Sequence, residues 1–296
     1  MSRYYAGRPR EPGFVMKHLL GEYSLARSYW LHTVFIGWGV ATLSAWTLRH
    51  VISEQSPMRH LALALLTLQA TALLIWLWSV TGTWMAALRR LFMGGGRLWA
   101  VLAMLTLGTA IWATIGEAWQ WRPDLEELWT VARGGQPSPS FRLERQADGR
   151  TLAFRGGINE GAAAALEAEI AAAPKLTTLL LDSPGGWIRE GQRMAEVVRR
   201  HRLNTRVEQE CYSSCTIVLL GGLNRSAGPR AQIGFHRGRP MGHTRRSHAP
   251  VRAEESAVFT AAGLDEAFVQ RILATPSDTI WVPSHEELVT ARVLTR

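Results

Sequence analysis

Three long runs without a charged residue constrain the fold of this 296-residue chain more than any other feature. They cover residues 29–48, 61–88 and 98–116. Each offers about the 20 apolar residues that a helix needs to cross the hydrocarbon core of a bilayer. Tryptophans stand near the ends of the runs, as in the aromatic belts of membrane proteins. Three such runs in succession are not expected in a buried soluble bundle, so the sequence predicts three transmembrane helices within residues 29–119 and a lipid bilayer as a partner.

The arginine and lysine content of the loops predicts the orientation of these helices. The segment 1–28 carries five such residues and the loop after the second run carries three, whereas the first loop carries two. The stretch after the third run is acidic. Because basic loops remain on the cytoplasmic side, we expect a multi-pass protein of the inner membrane with segment 1–28 in the cytoplasm. Three crossings then leave the C-terminal half outside the cytoplasm, in the periplasm.

The C-terminal half has the element order of an α/β domain. Residues 120–140 contain prolines and a glycine pair, which predict a short helical stalk over 124–131 and then a linker. From residue 141 short apolar strands alternate with helical patterns, and this order predicts a mostly parallel sheet within residues 141–296. The predicted strands are 141–146, 151–154, 177–181, 205–210 and 231–235, and the predicted helices are 161–173, 189–201, one that opens after 205–210, 253–262, 265–273 and 284–291.

The stretch from residue 179 to residue 236 carries the chemistry. Two adjacent glycines, Gly185 and Gly186, follow a strand and let backbone amides approach a ligand closely. Ser213 stands where a strand meets a helix, a position at which free amides and the helix dipole favour negative charge. His236 ends the last predicted strand and can accept the proton of a serine. Nucleophile, base and oxyanion donors therefore come from about 60 residues, the arrangement that acyl transfer needs.

These motifs together resemble the Clp protease proteolytic subunit and its relatives in the ClpP/crotonase superfamily. The matching residues are the turn Ser183–Gly186, then Ser213, and then a pattern formed by Gly222, Arg225, Pro229 and His236. The Cys-x-Ser-x-Cys form of Cys211, Ser213 and Cys215 resembles a branch of predicted periplasmic, membrane-linked members. The resemblance covers roughly residues 141–295, about half of the chain.

The resemblance implies a crotonase-like spiral of ββα units and a serine peptidase mechanism. In that mechanism Ser213 is the nucleophile, His236 is the base, and the backbone N–H groups of Gly186 and Ser214 form the oxyanion hole. An aspartate in the closing segment orients the histidine, and Asp278 is the candidate for it. The resemblance further implies a polypeptide substrate and self-association into a homo-oligomer. No metal or other cofactor is expected.

Each of these residues also has a structural interpretation. Ser213 can be an N-cap of its helix, and the neighbouring Ser214 can be confused with it as the nucleophile. Asp278 can be a turn residue, and Cys211 and Cys215 can form a disulfide or simply pack as two small buried side chains. A serine–lysine dyad is not expected, because Lys175 precedes the oxyanion turn in a loop and no lysine follows it.

Three other functions compete with the peptidase. The net charge of +9 comes almost entirely from arginine, and without a nucleic-acid motif we explain it by membrane topology and surface arginines rather than by nucleic-acid binding. Crotonase-type acyl-CoA chemistry is disfavoured by the serine–histidine pair. The main alternative is a catalytically inactive binding or assembly module on a membrane anchor.

The arginine-rich stretch 237–252, with His243 and His248, is predicted to be an exposed loop.

Overall fold

The computed structural model describes residues 12–50, 56–94, 96–239, 241 and 249–295. The basic residues at positions 3, 8 and 10 and the histidines at 243 and 248 lie outside these ranges. The chain divides into two compact units. The first comprises Met1–Ser56 and His60–Trp129, and the second comprises Pro57–Arg59 and Thr130–Arg296. The main boundary therefore falls inside the stretch 120–140 that the sequence predicts as stalk and linker.

The first unit is helical, and two of its helices are long and apolar enough to cross a membrane. These are α3 (Met58–Met93) and α4 (Arg97–Ala132), with 36 residues each. At 1.5 Å per residue each is about 54 Å long, well beyond a hydrocarbon core of about 30 Å. The helix α4 continues through Pro123, so the predicted stalk is its last part and not a separate helix. Two shorter helices, α1 (Phe14–Leu19) and α2 (Ile36–His50), precede them.

The first predicted span is not among the two long helices. Its residues wind as a nine-residue π-helix, Arg27–Phe35, and then continue as the 15-residue α2. The π-helical segment contacts α3 through polar side chains: the Thr33 and Thr83 hydroxyl oxygens lie 2.9 Å apart, and the Thr83 hydroxyl donates to the Ser28 carbonyl at 2.9 Å. Hydroxyl contacts of this kind join neighbouring helices in membranes. Three spans are thus not confirmed, whereas two candidate spans are.

The second unit contains a six-stranded sheet. Its strands are β1 (Arg142–Arg145), β2 (Thr151–Arg155), β3 (Thr178–Ser183), β4 (Asn204–Tyr212), β5 (Arg225–Ala227) and β6 (Gln232–Gly234). The order is β1-β2-β3-β4-β5, and β6 also pairs with β4. Only the β1–β2 hairpin is antiparallel, and Asp148 closes it by accepting the amides of Arg150 and Thr151. The mostly parallel sheet agrees with the sequence prediction, which missed only the three-residue β5.

Helices cover the apolar residues of this sheet. They are α5 (Ala162–Ala172), α6 (Ile188–Arg200), α7 (Ser214–Leu220), α8 (Ala249–Ala261), α9 (Glu266–Ala274) and α10 (His285–Thr290). Alternate residues of β3, Leu179 and Leu181, are fully buried and join one core with Leu166, Val198 and Leu219 of the helices. The predicted helix 284–291 begins as α10 with a capping box, since Ser284 and Glu287 each accept the other's backbone amide.

An irregularity in the sheet brings the candidate site together. The strands β3 and β4 pair in register up to Leu181 and Val207, but Ser183 then pairs with Cys211. The extra residues form a bulge in β4, a distortion that is common beside active sites. As a result the turn after β3 lies level with the end of β4, and because Tyr212 pairs with Gly234 the end of β6 reaches the same place. The C-terminal ends of β3, β4 and β6 therefore lie next to one another.

Candidate active site

Ser213 occupies a strained turn between β4 and α7. Its backbone has φ 57° and ψ −126°, a conformation that residues with a side chain rarely adopt. Strained strand-to-helix turns of this kind expose a serine hydroxyl at the end of a sheet. The Ser213 side chain makes no capping hydrogen bond to α7 and is half-exposed, whereas Ser214 is 1% exposed. Of the two serines, only Ser213 presents its hydroxyl to solvent.

The Ser183–Gly186 turn packs directly against this elbow. The amide of Gly185 donates to the Ser183 hydroxyl at 3.1 Å, which holds the turn at Pro184. The φ angle of Gly185 is 96°, and a Cβ atom added there would lie 2.8 Å from the Ser213 Cβ and 3.3 Å from the Ser214 amide nitrogen. On the other side, the Gly185 carbonyl accepts the Ile158 amide and the Trp187 amide donates to the Ile158 carbonyl. Only glycine fits a turn held this closely from both sides.

Two backbone amides beside Ser213 have no acceptor within the part of the chain that the structure describes. They belong to Gly186 and Ser214, the residues that the sequence predicts as oxyanion donors. The neighbouring amides are used: that of Gly185 goes to Ser183, and that of Ser213 donates to the Gly234 carbonyl at 3.0 Å. Unpaired amides next to a nucleophile can bind a developing negative charge.

His236 stands two residues after the end of β6, whose last residue, Gly234, accepts the amide of Ser213. Its Nδ1 is 2.9 Å from the Arg237 carbonyl oxygen, and since a carbonyl can only accept, Nδ1 carries the proton. The other nitrogen, Nε2, is then free to accept. Burial lowers the pKa of His236, and the Arg237 carbonyl opposes this by raising it. Among the described residues no hydrogen bond joins His236 to Ser213, although such contacts often form only when substrate is bound.

Among the described residues no hydrogen bond joins Asp278 to His236. The closing segment does reach the site, because Phe235 and Trp281 exchange two backbone hydrogen bonds and Arg237 donates its amide to the Thr275 carbonyl. Asp278 lies on the turn between these anchors, where it is exposed. The histidine instead directs its Nδ1 to a backbone carbonyl, and this carbonyl occupies the place that an orienting aspartate would take.

Lys175 lies at the opposite end of β3 from the Ser183–Gly186 turn. It is exposed and precedes β3, whereas the serine turn follows β3. A strand of this length separates the two ends by about 20 Å. The fold therefore gives no support to a serine–lysine dyad.

The structure brings one acidic residue to the site that the sequence analysis did not single out. Glu255 of α8 accepts the Gly238 amide at 2.7 Å, two residues after His236. The signal for it was available: Glu255 stands one helical turn before Phe259, whose side chain is in the core, so the same helix face turns Glu255 inward.

A disulfide joins Cys211 to Cys215 across the elbow. Both residues are fully buried in the core of the second unit. The bond ties the end of β4 to the first turn of α7, and Ser213 lies at its centre. Of the two interpretations of this cysteine pair, the structure has the disulfide.

A polar groove opens beside the oxyanion turn. It has a volume of about 1010 Å³ and is lined by Pro184 and by Tyr212, the residue before Ser213. Its other walls carry side chains of both charges, and these are Arg142, Arg155, Arg230, Asp182, Glu208 and Glu210. Within the described ranges no group of three or more histidine, cysteine, aspartate or glutamate side chains is arranged to hold a metal ion.

Comparison with known proteins gives matches only at the level of structure. No protein-family model matches the chain, and no curated protein is similar to it in sequence. The chain is similar to ClpP1 from Listeria monocytogenes, with 16% identity and a TM-score of 0.42 over 50% of this chain and 90% of that one. A single-residue variant of the same ClpP1 gives 16% identity and a TM-score of 0.41 over the same shares. Similarity this low identifies no activity, so the function is inferred from the geometry of the site.

Proposed function

We propose that this chain is a membrane-anchored serine hydrolase of the Clp type, with peptide bonds as its substrate. One observation carries the proposal. Ser213 is half-exposed and stands on a strained elbow, and two backbone amides have no acceptor among the described residues: that of Ser214, the next residue, and that of Gly186 in the turn that packs against the elbow. Neither feature serves the stability of the fold, since backbone strain costs about 1–3 kcal/mol and an unpaired amide contributes nothing.

The mechanism follows from these positions. Nε2 of His236 takes the proton of the Ser213 hydroxyl as its oxygen attacks the substrate carbonyl carbon. The carbonyl oxygen becomes an oxyanion and accepts hydrogen bonds from the amides of Gly186 and Ser214, each worth about 3 kcal/mol of transition-state stabilisation. The tetrahedral intermediate then collapses, the C–N bond breaks, and His236 gives its proton to the leaving amine. In the second half of the reaction a water molecule takes the place of the amine: His236 accepts its proton while its oxygen attacks the acyl carbon. The bond to Ser213 then breaks, and His236 returns the proton to the serine oxygen.

The groove beside Pro184 and Tyr212 supports an extended polypeptide as the substrate. Its volume of about 1010 Å³ lies at the upper end of the range for ligand sites, and its walls are polar and carry both charges. We expect polar or charged side chains of the substrate to occupy it. Self-association of the chain stays a prediction of the family resemblance.

We propose further that the second unit faces the periplasm. The side on which the second unit lies, relative to segment 1–28, depends on whether the number of crossings is even or odd. If α3 and α4 alone cross the bilayer, both ends of the chain lie on the same side. A third crossing by residues 27–50 places them on opposite sides. The disulfide between Cys211 and Cys215 supports the second arrangement, because such bonds persist in oxidising compartments. The excess of basic residues in segment 1–28 supports it as well.

The topology can be tested with single cysteines introduced at the two ends, as Ser2→Cys and Thr295→Cys. In intact bacterial cells whose outer membrane is permeable to it, a maleimide that cannot cross the inner membrane is expected to label position 295 and not position 2, because three crossings place them on opposite sides. Both positions must be labelled after lysis, which serves as the control. Equal labelling of the two positions in intact cells would show an even number of crossings and refute the proposed orientation.

One observation favours an inactive binding module instead. No hydrogen bond joins Ser213 to His236 within the described chain, so the proton path is not assembled in the form that the structure represents. The module hypothesis and the hydrolase hypothesis differ in one measurable property, the reactivity of the Ser213 hydroxyl.

Fluorophosphonate labelling of the detergent-purified full-length protein measures that reactivity. We expect one adduct, located on Ser213 by mass spectrometry, because the probe phosphonylates a serine, with loss of fluoride, efficiently only when a base and an oxyanion hole assist. Ser213→Ala is expected to abolish the adduct and His236→Ala to slow it by about 100-fold or more. Ser214→Ala keeps its backbone amide and is the matched control, expected to label at a rate close to wild type. Folded wild-type protein without an adduct would favour the binding module.

A further inference from the structure

One peptide unit connects the candidate base to a buried carboxylate. The His236 Nδ1–H donates to the Arg237 carbonyl oxygen at 2.9 Å, and the Gly238 amide donates to Glu255 Oε1 at 2.7 Å. This carbonyl and this amide belong to the same peptide group. An unbroken chain of two hydrogen bonds and one peptide therefore runs from the imidazole to the carboxylate.

Hydrogen bonds in such a chain strengthen one another. A negative carboxylate at the amide end draws the peptide's N–H toward it and increases the negative partial charge on the carbonyl oxygen at the other end. That oxygen holds the proton on Nδ1 of His236 and so leaves Nε2 as the acceptor. It also stabilises the positive charge that the imidazole gains when it takes a proton.

We propose that Glu255 is a positioning residue for the base, acting on His236 through the Arg237–Gly238 peptide. Glu255 would thus orient the histidine, the role that the family resemblance assigns to Asp278. The proposal rests on the proposed function, since a base needs orientation only where there is a proton to transfer.

The surroundings of Glu255 agree with such a part. Its second carboxylate oxygen is buried and has no hydrogen-bond partner among the described residues, an arrangement that costs stability. Burial is the largest influence and raises the pKa of Glu255 above its ordinary value, while the Gly238 amide and the positive charge of Arg237 partly offset this. The carboxylate is thus held in place with one strong contact, and that contact goes to the peptide next to His236.

The peptide between Arg237 and Gly238 is itself fixed. The Arg237 amide donates to the Thr275 carbonyl at 3.1 Å. A Cβ atom added at Gly238 would lie 2.5 Å from Cδ1 of Ile188, so the backbone is packed tightly against the first residue of α6, two positions after the Ser183–Gly186 turn. Because the peptide is anchored on both sides, it cannot rotate away, and the charge of Glu255 can polarise it and so act on His236.

The variant Glu255→Gln tests the proposal, because its amide oxygen can still accept from Gly238 while the charge is gone. We expect the fluorophosphonate labelling rate of Ser213 at alkaline pH to fall about tenfold. The rising limb of the pH–rate profile should move to lower pH. The sign follows because loss of a negative charge favours the neutral imidazole and lowers the pKa of His236. Glu266→Gln, an exposed carboxylate in the first turn of α9, is the matched control and should leave rate and profile unchanged.

An NMR titration separates this proposal from the proposed function. In the full-length protein with isotope-labelled histidine, the His236 signals report its pKa whether or not Ser213 reacts. A lower His236 pKa in Glu255→Gln supports the coupling even if the wild-type protein does not react with fluorophosphonate. Absence of that reaction would contradict only the proposed hydrolase activity. An unchanged His236 pKa overturns the coupling, and so does a pH–rate profile that moves in Asp278→Asn but not in Glu255→Gln.

If Glu255→Gln does not fold, the wild-type protein still decides the matter. The Gly238 amide proton should change its chemical shift over the pH range in which Glu255 titrates, and again over the range in which His236 titrates. A Gly238 amide that responds to neither group would mean that the chain of hydrogen bonds is absent in solution, and the proposal would fall.

Discussion

Gly185→Ala is expected to slow fluorophosphonate labelling of Ser213 by about 100-fold or more, since displacing reacting groups by about 1 Å can cost that much. The added methyl group would lie 2.7 Å from the Tyr212 carbonyl oxygen and 2.8 Å from the Ser213 Cβ. Because backbone atoms cannot yield as a flexible side chain does, the turn and the elbow must move apart. The Gly186 amide and the Ser213 hydroxyl then no longer face the same substrate carbonyl.

The chain offers a matched control at Gly161. Its φ of 92° is close to the 96° of Gly185, but a Cβ atom there would meet nothing within 4 Å. Gly161→Ala therefore also places a side chain at positive φ, which costs about 1–2 kcal/mol, without touching the elbow. We expect both variants to lose unfolding free energy in chemical denaturation, but only Gly185→Ala to lose labelling. Equal labelling rates in the two variants would contradict the packing of the serine turn on the nucleophile.

The second large effect is expected on removing the disulfide, in the double variant Cys211→Ala with Cys215→Ala. The bond closes a loop of five residues, and by loop entropy its loss should lower the free energy of unfolding by about 2 kcal/mol. The elbow conformation of Ser213 is strained and persists only while its surroundings enforce it. The bond holds both sides of that elbow, so we expect the labelling rate to fall as well, at a temperature at which the protein remains folded.

Val218→Ala is the control for this variant. Val218 lies in the same helix α7 and is fully buried, so its truncation leaves a small cavity and lowers stability without cutting the bond. We expect Val218→Ala to label like wild type when folded. If the disulfide variant and Val218→Ala label at the same rate, the bond stabilises the domain only and has no part in shaping the site.

The parts of this protein that the sequence predicts well depend on neighbours a few residues away. The predicted helix 284–291 begins at the capping box of Ser284 and Glu287, and the predicted strands 141–146 and 151–154 are joined by a hairpin that Asp148 closes, because each of these contacts joins residues within four positions in the chain. The periodic apolar residues of α5 and α6 and the apolar runs of α3 and α4 follow from composition and spacing in the same way. The short β5 has no such pattern, since its pairing with β4 creates it.

The sequence by itself determined which residues are candidates for the chemistry, because glycines after a strand, a serine at an elbow and a histidine at a strand end are local signals. Tertiary structure decided how they are used. The bulge in β4 brings Ser183 level with Cys211. The amides of Gly186 and Ser214 are unpaired because the described part of the fold leaves no acceptor near them. The Arg237–Gly238 peptide links His236 to Glu255, a residue that the local sequence pattern did not indicate. These are contacts between residues far apart in the chain, and their energies depend on distances of a few tenths of an ångström that only packing fixes.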